Sequence, residues 1–401
     1  MAETRRLMTV PLFIFLIVRP ALAEKLPGAK PEDVGMSSAR LGSLDTVIGE
    51  ALERHDFPGA VLLVGRGGRV VYRRAFGLSQ TVPQNRPMDS DLIFDLASVT
   101  KPVATAASIM VLVERGRLRL WDKVKDFIPE FTPYITVRGF PGEDARLYHL
   151  LTHTSGLQPY TDAKDVAAKY GTPCPTETLV RHIARMRKQA PPGTAFIYSC
   201  LNYITLAQIV RQVSGQDIAA FVAETIFRPL GMEQTCFNPP AELVPRCVPT
   251  QVEEGKPLRG VVHDPLARLQ GGISGNAGLF STADDLAVFC QMLLNRGEYG
   301  GRRILSPLAV ERMTEIYPRV GAAGRGLGWD LATDYATVRG DLFGAESYGH
   351  SGYTGTSVWI DPETATFVIF LTNRVHPDDK GDIISLRSKV ANVVAAAILE
   401  K

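Results

Sequence analysis

The sequence is poor in the features that most quickly narrow a protein to one class. Its 401 residues hold five cysteines, Cys174, Cys200, Cys236, Cys247 and Cys290, with no C-x-x-C among them, so the spacing of a dithiol motif is missing. Five is an odd number, which leaves at least one thiol free or paired between chains. Neither sign of charge dominates: 44 Lys and Arg against 42 Asp and Glu give a net charge of +2. There is also no basic stripe interleaved with aromatics, and the two observations together point away from nucleic acid as a partner. No repeat, low-complexity tract or long linker occurs, which argues against an array of small units. A G-x-S-x-G pentapeptide is absent, and with it the nucleophile elbow of the α/β-hydrolases. His149 and His153 stand in H-x-x-x-H spacing, but Leu150 occupies the place where a zinc hydrolase requires Glu. No metal or other cofactor is implied.

What is present is the composition of a folded protein, with 45% hydrophobic and 21% charged residues. A chain of this length buries a large core without disulfide staples. The first 23 residues have the layout of a secretory signal peptide. Arg5 and Arg6 precede an apolar run over residues 7–18, and Ala21-Leu22-Ala23 offers a small-x-small cleavage site. The run is short for a membrane span, so no stable span is expected after cleavage, although Arg19 and Pro20 keep an uncleaved anchor open. On this reading the mature protein begins at Glu24 and is periplasmic or secreted. Export permits disulfides, and Cys236 with Cys247 is the pair close enough in sequence to form one.

Residues 24–37 are a polar lead-in. Residues 38–54 have helical spacing, and apolar runs at 60–65 and 70–76 flank Arg66-Gly67-Gly68-Arg69 as a hairpin. Residues 98–117 read as a buried helix, with Pro102 tolerable in its first turn. Further helices are expected at 176–187, 201–214, 218–227 and 283–295. A second hairpin is expected at 356–360 and 365–371, and a closing helix at 382–399. Strands therefore lie at both ends of the chain and helices in the middle. The expected fold is α+β: one antiparallel sheet flanked by helices, built from residues 38–97 and 336–400, with a mainly helical half inserted over 98–335. A site is expected in the cleft between the halves.

Ser98-Val99-Thr100-Lys101 is an S-x-x-K motif at a helix start. Residues three apart share a helix face, so Lys101 reaches Ser98. A desolvated lysine with a lowered pKa is a base able to activate a serine hydroxyl. Alone the motif is common by chance. Downstream lie Leu150-Leu151-Thr152-His153-Thr154-Ser155-Gly156-Leu157, Tyr198-Ser199-Cys200, Asn276-Ala277-Gly278-Leu279-Phe280-Ser281-Thr282, and His350-Ser351-Gly352. In this order the motifs resemble the class C β-lactamase and penicillin-binding-protein-like serine hydrolase family, over residues 38–400.

The resemblance implies roles. Ser98 is the nucleophile, and Tyr198 shares the base role with Lys101 or relays the proton to the leaving group. The backbone N–H groups of Ser98 and Tyr353 form the oxyanion hole. His350, Ser351, Gly352 and Cys200 line the substrate site, with Gly352 letting substrate approach the strand closely. The segment around His153 is structural, and His263-Asp264 belongs to a substrate loop. Two departures stand out. Cys200 replaces the usual Asn of Tyr-x-Asn, and His350 replaces the Lys of Lys-Thr-Gly, the residue that pairs with a substrate carboxylate. Both changes argue against efficient β-lactam hydrolysis. The implied function is a serine hydrolase acting on a small ester or amide, in the order carboxyl ester, peptidoglycan fragment, β-lactam. A non-catalytic binding module on the same fold is the alternative, and oligomeric state is not readable.

Overall fold

In the computed structural model, which describes residues 24–400, the strand β1 (Gly59–Arg66) is buried along its whole length. Successive side chains of a strand point to opposite faces. Ala60, Leu62 and Val64 accordingly join one apolar cluster, while Val61 and Leu63 join another. A strand covered on both faces reads as an unbroken apolar run, and that is how residues 60–65 look in the sequence.

The strands β2 (Arg69–Gln80) and β3 (Arg86–Pro87) follow, then the short β4 (Phe94–Asp95), β5 (Cys236–Phe237) and β6 (Leu279–Ser281). The chain returns to the main sheet with β7 (Tyr348–Ser351), β8 (Thr356–Asp361) and β9 (Thr366–Thr372). The order in that sheet is β7-β8-β9-β1-β2-β3, with every pair antiparallel. N- and C-terminal strands meet in the middle, with Ala60 opposite Thr372 and Arg66 opposite Thr366. Gly65 is required there, because a Cβ would stand 2.0 Å from the Phe367 ring. Strand β7 forms one edge.

One face of the sheet is covered by the helices α1 (Ser43–Glu53) and, from the far end of the chain, Ile384–Ala396. The other face carries α2 (Ala97–Glu114) and the inserted half, including α3 (Leu147–Leu151), α4 (Cys200–Ser214) and α5 (Ala283–Leu294); Ile384–Ala396 is then α6. Helix α2 is apolar on all sides because it runs through the core, with 83% of its residues buried.

The expected architecture holds, with local corrections. Residues 38–54 form two helices broken at Gly42. Helix α2 is not regular: Ala97–Val99 is a 3-10 turn, Lys101–Ala106 is a wide π-type segment, and only Ala107–Glu114 is α-helical. Pro102 has no N–H to give to that first turn, and Thr105 donates its hydroxyl to the Gly275 carbonyl at 2.8 Å. The inserted half also contains strands, since β4, β6 and β5 form a small sheet. Its last segment is joined to the main sheet, as Asp330 pairs with Gly349 of β7 through two backbone hydrogen bonds.

The lead-in is anchored as well: Ala29 N–H bonds to Val70 and Val70 N–H to Pro27, at 3.0 and 2.9 Å. The signal-peptide reading of residues 1–23 lies outside the described residues. Cys236 and Cys247 do not form the disulfide considered from their spacing; all five thiols are free, and Cys247 Sγ instead donates to the Leu243 carbonyl at 3.5 Å.

Candidate active site

Ser98 follows a strained turn. Ala97 has φ +45°, a left-handed conformation that a non-glycine residue adopts only when its surroundings impose it. The Asp95 carboxylate imposes it, accepting the Ala97 N–H at 2.9 Å and the His263 N–H at 2.7 Å. Burial pushes Asp95 up to about 6, against the pull of those two N–H groups.

Three residues after Ser98, Lys101 is fully buried. Its Nζ donates to Ser98 Oγ and to the Asn276 carbonyl, both at 2.9 Å. The same ammonium lies 5.2 Å from the Tyr198 ring centroid and 5.8 Å from that of Tyr203. Burial pulls the Lys101 ammonium down, but the Cys200 thiol and the Tyr198 phenol outweigh it and hold Lys101 above the ordinary lysine value. This corrects the expectation of a lowered lysine: the electron-rich sulfur and oxygen atoms around it favour the charged form.

Tyr198 enters from the loop before α4 and stacks on His153, with centroids 4.4 Å apart. His153 has φ +58°, and its Nδ1 accepts the Ser199 N–H at 3.0 Å. Burial first, then the charges of Arg325 and Lys101, keep the imidazole well below its ordinary pKa, so it is neutral. The segment around His153 is therefore structural, as expected, and what it supports is the phenol of Tyr198. His149 likewise spends Nδ1 on the Arg146 N–H at 3.0 Å. Among the described residues no group of three or more His, Cys, Asp or Glu side chains is placed to hold a metal. Cys200 turns its thiol toward Lys101 and Asn276, and burial raises it, which keeps it protonated. It is not among the residues that line the cleft, contrary to its expected place.

The opposite wall is the edge strand β7 and the turn after it. His350 is buried; its Nδ1–H donates to the Ser351 carbonyl at 2.8 Å, and Nε2 has no protein partner. Burial, Arg325 and Lys101 keep it neutral. Ser351, Gly352 and Tyr353 continue along the cleft beside Ser98. Gly352 corrects an expectation. A Cβ there would lie 2.3 Å from Thr356 Oγ1 and 2.4 Å from the Leu96 carbonyl, so its missing side chain makes room for the protein's own backbone. Thr356 and Thr354 hydroxyls donate to the Leu96 and Asp95 carbonyls at 2.9 and 2.7 Å, tying this wall to the nucleophile turn.

Several cleft residues escaped the sequence, Arg374 and Arg387 among them, and three stand nearest the chemistry. Arg325 and Asp330 form an ion pair at 3.1 Å, with side-chain exposures of 1% and 3%. Tyr335 places its ring 5.3 Å from that of Tyr198. The only trace of the ion pair was an Arg and an Asp enclosing an apolar Gly-Leu-Gly-Trp stretch. With Ser98, Tyr198 and the β7 residues, these line a cleft of about 730 Å³.

The chain belongs to the β-lactamase family, whose profile, described as Beta-lactamase, matches residues 44–391. It is 32% identical to a protein of Escherichia coli strain K12 with the provisional name D-alanyl-D-alanine carboxypeptidase, over 89% of this chain and 86% of the relative. Among solved structures, EstCE1, a hydrolase with promiscuous acyltransferase activity, is 25% identical with a TM-score of 0.71, covering 89% of this chain and 99% of that one. The octameric penicillin-binding protein homologue from Pyrococcus abyssi is 26% identical with a TM-score of 0.70, covering 89% and 77%. The protein is a serine hydrolase with the β-lactamase/transpeptidase-like fold.

Proposed function

We propose that the protein hydrolyses carboxyl esters through an acyl-enzyme on Ser98, and that it does so after export by residues 1–23 to the periplasm or medium. The observation that carries the chemistry is the buried Lys101 ammonium 2.9 Å from Ser98 Oγ, with Tyr198 in hydrogen-bonding reach of the same ammonium. Lys101 and Tyr198 act as one proton-holding unit. Ser98 Oγ bonds to the substrate carbonyl while its proton passes to this unit in the minor state that carries one proton fewer, which the raised Lys101 makes scarce at neutral pH. The proton then leaves on the departing alcohol, and water repeats the sequence to free the acid. The N–H groups of Ser98 and Tyr353 hold the carbonyl oxygen as it gains charge.

The ester preference rests on His350. Buried and neutral, it offers no cation on the strand for a substrate carboxylate. The name of the Escherichia coli relative favours a second reading, a carboxypeptidase acting on D-alanyl-D-alanine peptides. A panel of p-nitrophenyl esters, a chromogenic cephalosporin and purified muropeptides separates these, with Ser98→Ala as control. The ester reading predicts turnover of the esters above both other classes. A fluorophosphonate probe that fails to label the wild type, or labels Ser98→Ala equally, refutes the acyl-enzyme. Cell fractionation with an antibody to the chain tests export.

A further inference from the structure

Beyond the motif residues, the turn that carries Tyr353 is gripped by an arginine that itself borders the cleft. Arg387, on α6 and 8% exposed, donates from Nη2 to the Gly352 carbonyl at 3.0 Å and to the Thr356 carbonyl at 2.9 Å. The Gly352 carbonyl also accepts the Gly355 N–H at 3.1 Å, and the Thr356 carbonyl accepts the Gly352 N–H at 2.7 Å. No carboxylate forms a salt bridge with Arg387 among the described residues, and its Nε is buried without a partner. A buried guanidinium bonded only to carbonyls is a costly way to hold a turn, because a neutral amide donor would hold it without desolvating a charge. The charge itself calls for a use.

The peptide unit supplies one. In a planar trans peptide the carbonyl of one residue and the N–H of the next point in opposite directions. Fixing the Gly352 carbonyl on Arg387 therefore directs the Tyr353 N–H away from the guanidinium, and Tyr353 and Arg387 both border the cleft with Ser98. A cation on the carbonyl end also polarises the unit, as bonds in a hydrogen-bonded chain strengthen one another. The Tyr353 carbonyl is held in turn by Arg374 Nε at 2.7 Å, so both peptide units flanking this residue are fixed.

We propose that Arg387 is a positioning residue of the oxyanion hole, aiming and polarising the Tyr353 N–H through the Gly352 carbonyl. The proposal rests on the Ser98 acyl-enzyme reading. Burial and the neighbouring Arg374 pull Arg387 down to about 9, with Asp382 acting against them, so it stays charged at neutral pH.

The test uses the full chain as wild type, Arg387→Gln and Arg387→Lys. Three quantities are measured: kcat and KM with p-nitrophenyl butyrate, the inhibition constant of phenylboronic acid, and the infrared frequency of the acyl-enzyme carbonyl formed from a carbonyl-13C ester. Removing an oxyanion donor outright costs about 10²–10³ in kcat, and loss of its support is expected to cost about 10–100-fold. In Arg387→Gln, kcat falls by that factor with KM within twofold, the boronate weakens in parallel, and the carbonyl moves to higher frequency. Arg387→Lys keeps a cation with a single donor head and falls between. If Arg387→Gln does not fold, the lysine variant decides alone. A folded variant with wild-type carbonyl frequency and boronate affinity overturns the proposal. So does a loss confined to raised KM for anionic substrates, which would make Arg387 a direct substrate contact. A wild type that forms no acyl-enzyme refutes the underlying reading instead, and the Ser98→Ala control distinguishes that case.

Discussion

The two walls of the cleft are built differently. On the nucleophile wall the reactive groups are engaged, Lys101 with Ser98 and Asn276 and Tyr198 stacked on His153, while the unpartnered buried atoms there, His153 Nε2 and Asn276 Nδ2, belong to supporting side chains. On the strand wall His350 Nε2, Arg325 Nε and Nη2, and Arg387 Nε are all buried without a protein partner. An engaged set holds one geometry, whereas spare donors and acceptors can be taken up by different substrates. The comparison teaches that the two walls differ in how fully the side chains facing the cleft are engaged.

The sharpest way to break the comparison is to remove the nucleophile wall's charge without changing its volume. Lys101→Met is expected to lower kcat for p-nitrophenyl esters by about 10²–10⁴-fold, the range of a positioned proton-transfer group. The melting temperature should stay near that of the wild type. A Lys101→Met enzyme within tenfold of wild type would show the engaged set to be packing only.

Next in size is the Arg325–Asp330 pair, which belongs to the strand wall. Asp330→Ala leaves a buried guanidinium unpaired and is expected to cost about 3–5 kcal/mol of stability, read from the urea midpoint. A change below 1 kcal/mol would mean that Arg325 does not depend on Asp330 for its burial.

Acid should loosen both walls together. His153 and His350 have folded pKa values well below the ordinary 6.5. Their stabilisation is present above 6.5 and is lost as pH falls, because the unfolded chain takes up protons that the folded one refuses. Asp95, raised to about 6, works in the opposite direction, since its contribution returns as pH falls. His149, His182, His263 and His376 are lowered as well and Asp285 is raised, so six imidazoles against two carboxylates leave a net loss of stability between pH 7 and 5.5. Equal urea midpoints at the two pH values would refute this balance.

The smallest expected effect sharpens the contrast best. His350→Gln replaces one neutral side chain by another and should change ester kcat/KM by less than about threefold, under 1 kcal/mol. A larger loss, confined to kcat, would move His350 from substrate choice to chemistry.

Much of this was legible along the chain. The hairpins at 59–80 and 356–372 were visible because short apolar runs and tight turns are local properties. Ser98 and Lys101 were visible because three residues of helix bring them together. Arg387 was not, since nothing at its position marks the carbonyls it meets 31 and 35 residues earlier in the chain. The same holds for the Asn276 carbonyl on Lys101, 175 residues away.

Lys101 shows where sequence reasoning misjudged direction. Desolvation alone predicts a lowered ammonium, and burial is indeed the largest influence on it. Whether burial or the neighbouring sulfur and oxygen atoms prevail depends on side chains brought in from other segments, and no motif spacing contains that information.

By itself, then, the sequence determined the sheet's hairpins, the central helix α2, the order of motifs and the pairing of Ser98 with Lys101. Each of these depends on contacts a few residues apart. Only the tertiary structure decided the charge state around Lys101, the neutrality of His350, the buried Arg325–Asp330 pair and the grip of Arg387 on the Tyr353 turn. These are matters of desolvation and long-range hydrogen bonding, and both exist only once distant segments have packed together.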